Sequence, residues 1–326
     1  MNTINRNQAI DYAKILATIM VVFYHAIYYE LAYYTDTTIL GLYVPSFNRI
    51  IMNLCSMSIP LFFMCSGFCL LNSCSSSLSK MAKKVAYIVI LTIIWNYLTP
   101  FPYWFFITLS ALYLSTPIQK YLIENKPGLY WLGIGVVFLL TQLSNEIYVL
   151  SKACDISLSW PNRIQGLFTS YAIVHFAIGY TLSQKKPSVK ISTLTILLGM
   201  ILGIFDGMLL TTDPNKPFDG VNAAFPCLSS LLLAYGVLSL LLHYQNRFTK
   251  VSDFLKLCAS CCLPIYILHM KFIGLSRPYY NDFNTALEIQ PNIYTGLIWS
   301  LLICITCGIV GLGIKKIPYL KYLMKL

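Results

Sequence analysis

Long apolar runs, broken by short polar or Pro/Gly/Asn-bearing segments, recur from Ile10 to Ile314. Runs near 20 residues are what a helix needs to cross roughly 30 Å of hydrocarbon, and no large hydrophilic block separates them. The pattern predicts ten spans, at about residues 10–29, 50–72, 85–99, 103–118, 128–145, 165–183, 191–211, 222–243, 257–273 and 292–314. Only Thr99-Pro100-Phe101-Pro102 divides the third from the fourth. The predicted fold is all-α, a polytopic membrane bundle of about ten helices in one integral domain, residues 1–326. No cleavable leader is expected, because the first run carries Asp11 and Lys14 and no small-residue cleavage site follows it.

Composition agrees with this reading. Of 326 residues 57% are hydrophobic and 11% charged, too little polar surface to cover a soluble globule of this size. Charge sets the orientation, because loops on the cytoplasmic side hold an excess of Lys and Arg. With the N-terminus inside, the inner segments collect 17 of the 23 basic residues, among them Arg6, Lys14, Lys80, Lys83, Lys84, Lys315, Lys316 and Lys321. Arg49 and Arg163 fall outside, with most of the acids, including Glu146 and Asp155. Both termini are therefore expected in the cytoplasm. The net charge of +11 needs no nucleic-acid partner, since orientation and anionic lipid headgroups account for basic inner loops.

The eleven cysteines are scattered mostly through apolar segments and read as small buried hydrophobes. Cys258 and Cys261 form a C-x-x-C, but no second pair or His follows at zinc-like spacing, so neither a metal site nor a disulfide is assigned. No internal repeat and no matching pair of Gly/Pro-broken helices points to an inverted-repeat transporter.

Candidate chemistry begins in the first span. Lys14 and His25 are eleven positions apart, about three helical turns, and share one stripe with Asp11, Thr18 and Val21. Ionisable groups inside a span are expensive and mark functional sites by default. A neutral imidazole accepts a proton from a hydroxyl near neutral pH, which Lys and Arg do not readily do. Lys14 near the cytoplasmic mouth and His25 about 16 Å further in, at 1.5 Å per residue, suit an anionic cofactor that arrives from inside. The structural alternative stays open: His25 making an interhelical hydrogen bond and Lys14 snorkelling to the headgroups. The second span carries Pro60 and Ser66-Gly67, which allow bending or close helix approach, and packing is their first reading. Lys80, Lys83 and Lys84 follow as a basic cluster that fits phosphate binding as well as topology. Arg163, His175 and Asp206 are further polar groups near or within spans, and His243 reads as a solvated loop-edge residue.

In their order along the chain these elements resemble the acyltransferase-3 family, multi-span bacterial enzymes that O-acylate surface polysaccharides. The basic residue, ten positions and His of the first span are Lys14 to His25, preceded by Asp11. Pro60 to Phe68 resembles the second-span Pro-x-Phe-Phe-x-x-Ser-Gly-Phe, followed by the basic cluster Lys80, Lys83 and Lys84. Trp104 to Pro117, Gly179-Tyr180 and Ile265 to His269 complete the series. The likeness runs from Asn5 to about Ile314 and is nearest to short stand-alone O-acetyltransferases, of the kind that modifies enterobacterial common antigen. Two departures concern the donor: Lys14 and the loop lysines stand where the family usually has Arg, keeping charge without the planar fork.

The resemblance implies an O-acyltransferase of the bacterial inner membrane. It moves an acyl group, most often acetyl, from cytoplasmic acetyl-CoA to a hydroxyl of a polysaccharide or lipid-linked sugar beyond the membrane. Lys80, Lys83 and Lys84 would attract the coenzyme A phosphates, and Lys14 would hold the thioester end or its oxyanion. His25 would be general base or transient acyl carrier, with Asp11, Ser66, His269 and Arg163 in support, and no metal is required. The rival class is a transporter or flippase of a lipid-linked sugar or small solute, which also uses buried charges in a polytopic bundle.

Overall fold

The computed structural model describes residues 7–28, 31, 34–73, 77–99, 103–154, 156, 170–211, 227–245 and 252–324. The central helix is α1 (Gln8–Ile27). Asn7 caps it by accepting from the Ala9 amide at 3.0 Å, and Asp11 in the first turn suits the positive end of the helix dipole. Ala9, Ala13 and Ala17 are fully buried at four-residue spacing, forming a small-residue face that other helices approach closely.

Between α1 and the second predicted span lies a feature absent from the sequence reading. Strands β1 (Tyr34–Ile39) and β2 (Leu42–Pro45) pair antiparallel across a two-residue turn. Both turn residues have positive φ, 53° at Leu40 and 79° at Gly41, as the turns that match strand twist require. The bundle is otherwise helical among the described residues. The second predicted span is two helices, α2 (Phe47–Cys55) and α3 (Ser58–Leu70). The break is made locally: the Ser56 hydroxyl donates to the Asn53 carbonyl at 2.7 Å, and Pro60 in the first turn of α3 has no amide to waste.

There follow α4 (Leu78–Leu98), α5 (Trp104–Asn125) and α6 (Pro127–Phe138), the last passing through a π-helical turn at Leu139–Leu143 into α7 (Ser144–Ala153). Then come α8 (Ser170–Gln184), α9 (Val189–Leu210), α10 (Leu228–Tyr244), α11 (Ser252–Ala286) and α12 (Ile293–Lys316), and a 3-10 turn at Leu320–Met324. Helix α1 packs against α3, α10, α11 and α12.

Each of the ten predicted stretches overlaps helix among the described residues, the second with a break at Ser56-Met57. Among the described residues, six helical stretches are long and apolar enough to cross a membrane: Gln8–Ile27, Phe47–Leu70, Pro127–Ser151, Val189–Leu210, Asp253–Ala286 and Ile293–Lys316. Helix α10, at 17 residues, is apolar but shorter. Helix α4 carries Lys80, Lys83 and Lys84 in its first turns, and the last turns of α5 carry Lys120 and Glu124, which lowers their hydropathy. One predicted boundary is corrected outright. The ninth span is predicted to end near residue 273, yet α11 continues through Pro278 to Ala286.

A close helix contact joins two sequence motifs. Gly67 of α3 lies against the backbone of Phe176 on α8, and Gly179 of α8 lies against the backbone of Met64 on α3. A Cβ added to Gly67 would fall 1.8 Å from the Phe176 carbonyl oxygen, and one on Gly179 would fall 1.9 Å from that of Met64. Packing is therefore a role that Ser66-Gly67 and Gly179-Tyr180 do fill. None of the described cysteines forms a disulfide; Cys55, Cys65, Cys227, Cys261, Cys262, Cys304 and Cys307 are buried, while Cys69 and Cys154 are exposed.

Candidate active site

Helices α1 and α11 run side by side in the same direction. The Cys262 thiol meets the Thr18 hydroxyl, the His25 ring faces the His269 ring, and Arg277 donates to the Ala26 carbonyl at 3.2 Å. The stripe Lys14, Thr18, His25 thereby gains a facing stripe on α11, Cys262, Tyr266, His269.

At the Lys14 end this seam opens into a cavity of about 590 Å³. Lys14, Lys315 and Lys321 line it, from α1, α12 and the C-terminal turn. That turn is held under α4 by the Trp95 indole donating to the Leu323 carbonyl at 2.9 Å and by the Tyr87 hydroxyl donating to that of Tyr322. Lys315 also donates to the Ser260 carbonyl at 2.6 Å. The remaining walls combine aromatic and apolar groups, Phe62, Phe105, Phe106, Leu109 and Leu263, with a few polar ones, Ser66, Tyr113 and Ser260. A cationic mouth on an apolar slot fits a ligand with an anionic head and a thin, weakly polar arm.

Tyr266 also lines the cavity, and beyond it the seam continues into two histidines. The Tyr266 and His269 rings are 5.8 Å apart, and those of His269 and His25 are 5.3 Å apart. His269 is fully buried, with Nδ1 3.2 Å from the Ile265 carbonyl oxygen and 2.7 Å from that of Tyr266. A carbonyl only accepts, so Nδ1 carries the hydrogen, and in the neutral ring Nε2 keeps its lone pair. Nε2 has no hydrogen-bond partner among the described residues. His25 is half-buried, its ring edge-on to Tyr24 at 5.1 Å.

The sequence-derived candidates divide accordingly. Lys14 and Ser66 line the cavity, and Ser66 donates to the Phe62 carbonyl at 2.9 Å. Asp11 is buried one turn before Lys14. His25 and His269 sit together past the cavity's Tyr266 wall and do not line it. Lys80, Lys83 and Lys84 are exposed on the first turns of α4; Lys84 alone reaches the rim, its ammonium 5.8 Å from the centre of the Tyr113 ring. Arg163 lies outside the described residues. Lys315 and Lys321 were missed as site residues, because in the sequence they read only as an inner-side charge cluster after the last span. His175 is fully buried against Tyr171, ring centres 5.7 Å apart, and His243 is exposed.

Comparison with known proteins adds the family. A family model described as an acyltransferase domain matches residues 7–101 and 97–313. No curated protein and no solved structure matches the chain significantly. The family match runs through α1, the cavity walls on α3, α5 and α11, and both facing histidines, and it covers nearly the whole chain: the protein belongs to the acyltransferase-3 family.

Proposed function

We propose that the protein is a membrane O-acyltransferase that moves an acyl group, acetyl in the first instance, from cytoplasmic acyl-CoA to a hydroxyl of a surface polysaccharide or lipid-linked glycan. The observation that carries this reading is the continuity from a three-lysine cavity, along Tyr266, to a pair of facing histidines. The lysine end takes the phosphates of coenzyme A, and the apolar slot takes the pantetheine arm. Lys84 at the rim extends the cationic surface, with Lys80 and Lys83 drawing the donor in from the surface.

A thioester already has a good leaving group, so the protein's share is positioning, a base and charge stabilisation. The acceptor hydroxyl gives its proton to His25 as its oxygen attacks the thioester carbonyl, and His269 takes that proton at Nε2. The tetrahedral intermediate collapses to the ester and releases coenzyme A thiolate, which the returned proton neutralises. Lys14 supports the developing negative charge from the cavity side. In this reading the Lys14 mouth faces the cytoplasm, at the bacterial inner membrane.

Binding of acetyl-CoA to detergent-purified protein tests the donor half. Each charge-assisted phosphate contact is worth about 1.5–3 kcal/mol, or roughly 10- to 100-fold in Kd. Lys14→Ala should therefore weaken binding by one to two orders of magnitude while Lys14→Arg retains it. The pair Lys315→Ala and Lys321→Ala should weaken acetyl-CoA more than dephospho-acetyl-CoA. If all these changes leave affinity unaltered, the donor does not occupy this cavity. Solute flux independent of coenzyme A would favour the transporter class instead.

A further inference from the structure

A second buried polar cluster lies away from the lysine cavity, where α7, α9 and the start of α10 meet. Carboxylate oxygens of Glu146 and Asp206 and the sulfur of Cys227 all lie within 4.8 Å of one another. Asp206 and Cys227 are buried, and Asp206 Oδ2 has no hydrogen-bond partner among the described residues. The two carboxyl groups abut each other, an arrangement that repels when both are ionised.

We infer that this cluster is a binding site for a divalent transition-metal ion of the zinc class. The donor set suits that class: one sulfur and two oxygens, with a fourth position for water, make a tetrahedral site. From zinc–sulfur and zinc–oxygen bond lengths the donors in such a site stand about 3.5 Å apart, so an ion would draw these three side chains closer together. The surroundings orient the ligands as supports of a metal site do. Asn145 Nδ2 donates to Cys227 Sγ at 2.7 Å, the Leu228 amide donates to Glu146 Oε1 at 2.7 Å, and the Glu146 and Asp206 carboxyls hydrogen-bond to each other, a contact the ion would replace.

Charge also balances. The Arg49 guanidinium is buried within electrostatic range of Asp206 and Cys227 and donates to the Gly203 carbonyl at 3.1 Å. Two carboxylates and a thiolate with one guanidinium leave two negative charges, which a divalent ion neutralises. Binding releases the thiol proton and whatever proton the carboxyls share, with no change of oxidation state. The π-helical turn immediately before Ser144 brings Asn145 and Glu146 to this junction. The ion would tie α7, α9 and α10 together through residues that do not line the lysine cavity. Its donors, from positions 146, 206 and 227, carry no short ligand spacing for a sequence search to find.

The test uses the detergent-purified full chain, loaded with Zn²⁺ or Co²⁺ and desalted. Elemental analysis should find about one zinc per chain, and essentially none in Asp206→Asn and Cys227→Ala. The cobalt form should show thiolate-to-cobalt absorption that Cys227→Ala abolishes and Cys258→Ala keeps. Added zinc should raise the thermal midpoint of the parent chain and leave that of Asp206→Asn unchanged. No retained metal in the parent chain, or a cobalt–thiolate band that survives Cys227→Ala, overturns the proposal without requiring any variant to be as stable as the parent.

Discussion

His25→Ala should lower acyl transfer in isolated membranes by roughly 10²- to 10⁴-fold, the range a positioned general base contributes, while the protein still inserts and accumulates. Stability should survive because His25 is half-buried and takes no part in the close α3–α8 approach. The loss should fall on transfer rather than on donor binding, since His25 does not line the lysine cavity. His269 supplies the finer test. Asn in its place can still donate from Nδ2 toward the Ile265 and Tyr266 carbonyls but has no basic nitrogen. His269→Asn should therefore slow transfer by less than His25→Ala and leave acetyl-CoA affinity intact. Full transfer by the His25→Ala protein, measured with labelled acetyl-CoA and native membranes as acceptor source, would remove the histidine from the mechanism.

Gly67→Ala should have the largest effect on folding. Its methyl group would meet the Phe176 carbonyl at 1.8 Å, and the obstacle is backbone on a helix that itself places Gly179 against Met64. No rotamer change relieves it, so α3 and α8 must part. Overpacking in a well-packed core costs about 1–3 kcal/mol and occasionally more; two rigid backbones put this site at or above the top of that range. Gly179→Ala should behave alike. Gly133→Ala and Gly135→Ala on α6 are the internal controls, because an added Cβ there meets nothing within 4 Å and alanine favours the helix by up to about 1 kcal/mol. Thermal midpoints in detergent and the yield of inserted protein check the set. A Gly67→Ala protein as stable as the Gly133→Ala protein would mean that the two helices do not meet as described.

Hydrophobic periodicity made the helices legible, and ionisable residues inside an apolar run made one face of the site legible. Lys14 and His25 could be placed three turns apart because the 3.6-residue repeat carries that information. Their partners could not. Cys262, Tyr266 and His269 face them because α11 lies parallel to α1, and helix pairing is not written in a one-dimensional pattern. Lys315 and Lys321 reach the cavity through a C-terminal turn anchored by Trp95 and Tyr87, contacts more than 200 positions apart along the chain. The α2–α3 break was hidden because Ser56-Met57-Ser58 interrupts an apolar run without a charge or a glycine. Pro278 misled in the other direction, since a proline within a long helix bends it without ending it. The hairpin escaped because its six- and four-residue strands are too short for alternation to stand out beside the adjoining spans.

The same economy explains why the glycines were recognised only in part. Ser66-Gly67 reads as a site of bending or close approach and Gly179-Tyr180 only as an element of the family series, and their meeting each other follows from the α3–α8 pairing alone.

The most direct test of the acyltransferase reading is mass spectrometry of surface glycans from cells with and without this protein, supplied with an isotopically labelled acetyl precursor. The account predicts a labelled acyl ester, removable by mild base, on glycans from producing cells and its absence from cells lacking the protein. Identical glycans in the two strains, with the protein present and intact in the membrane, would contradict it.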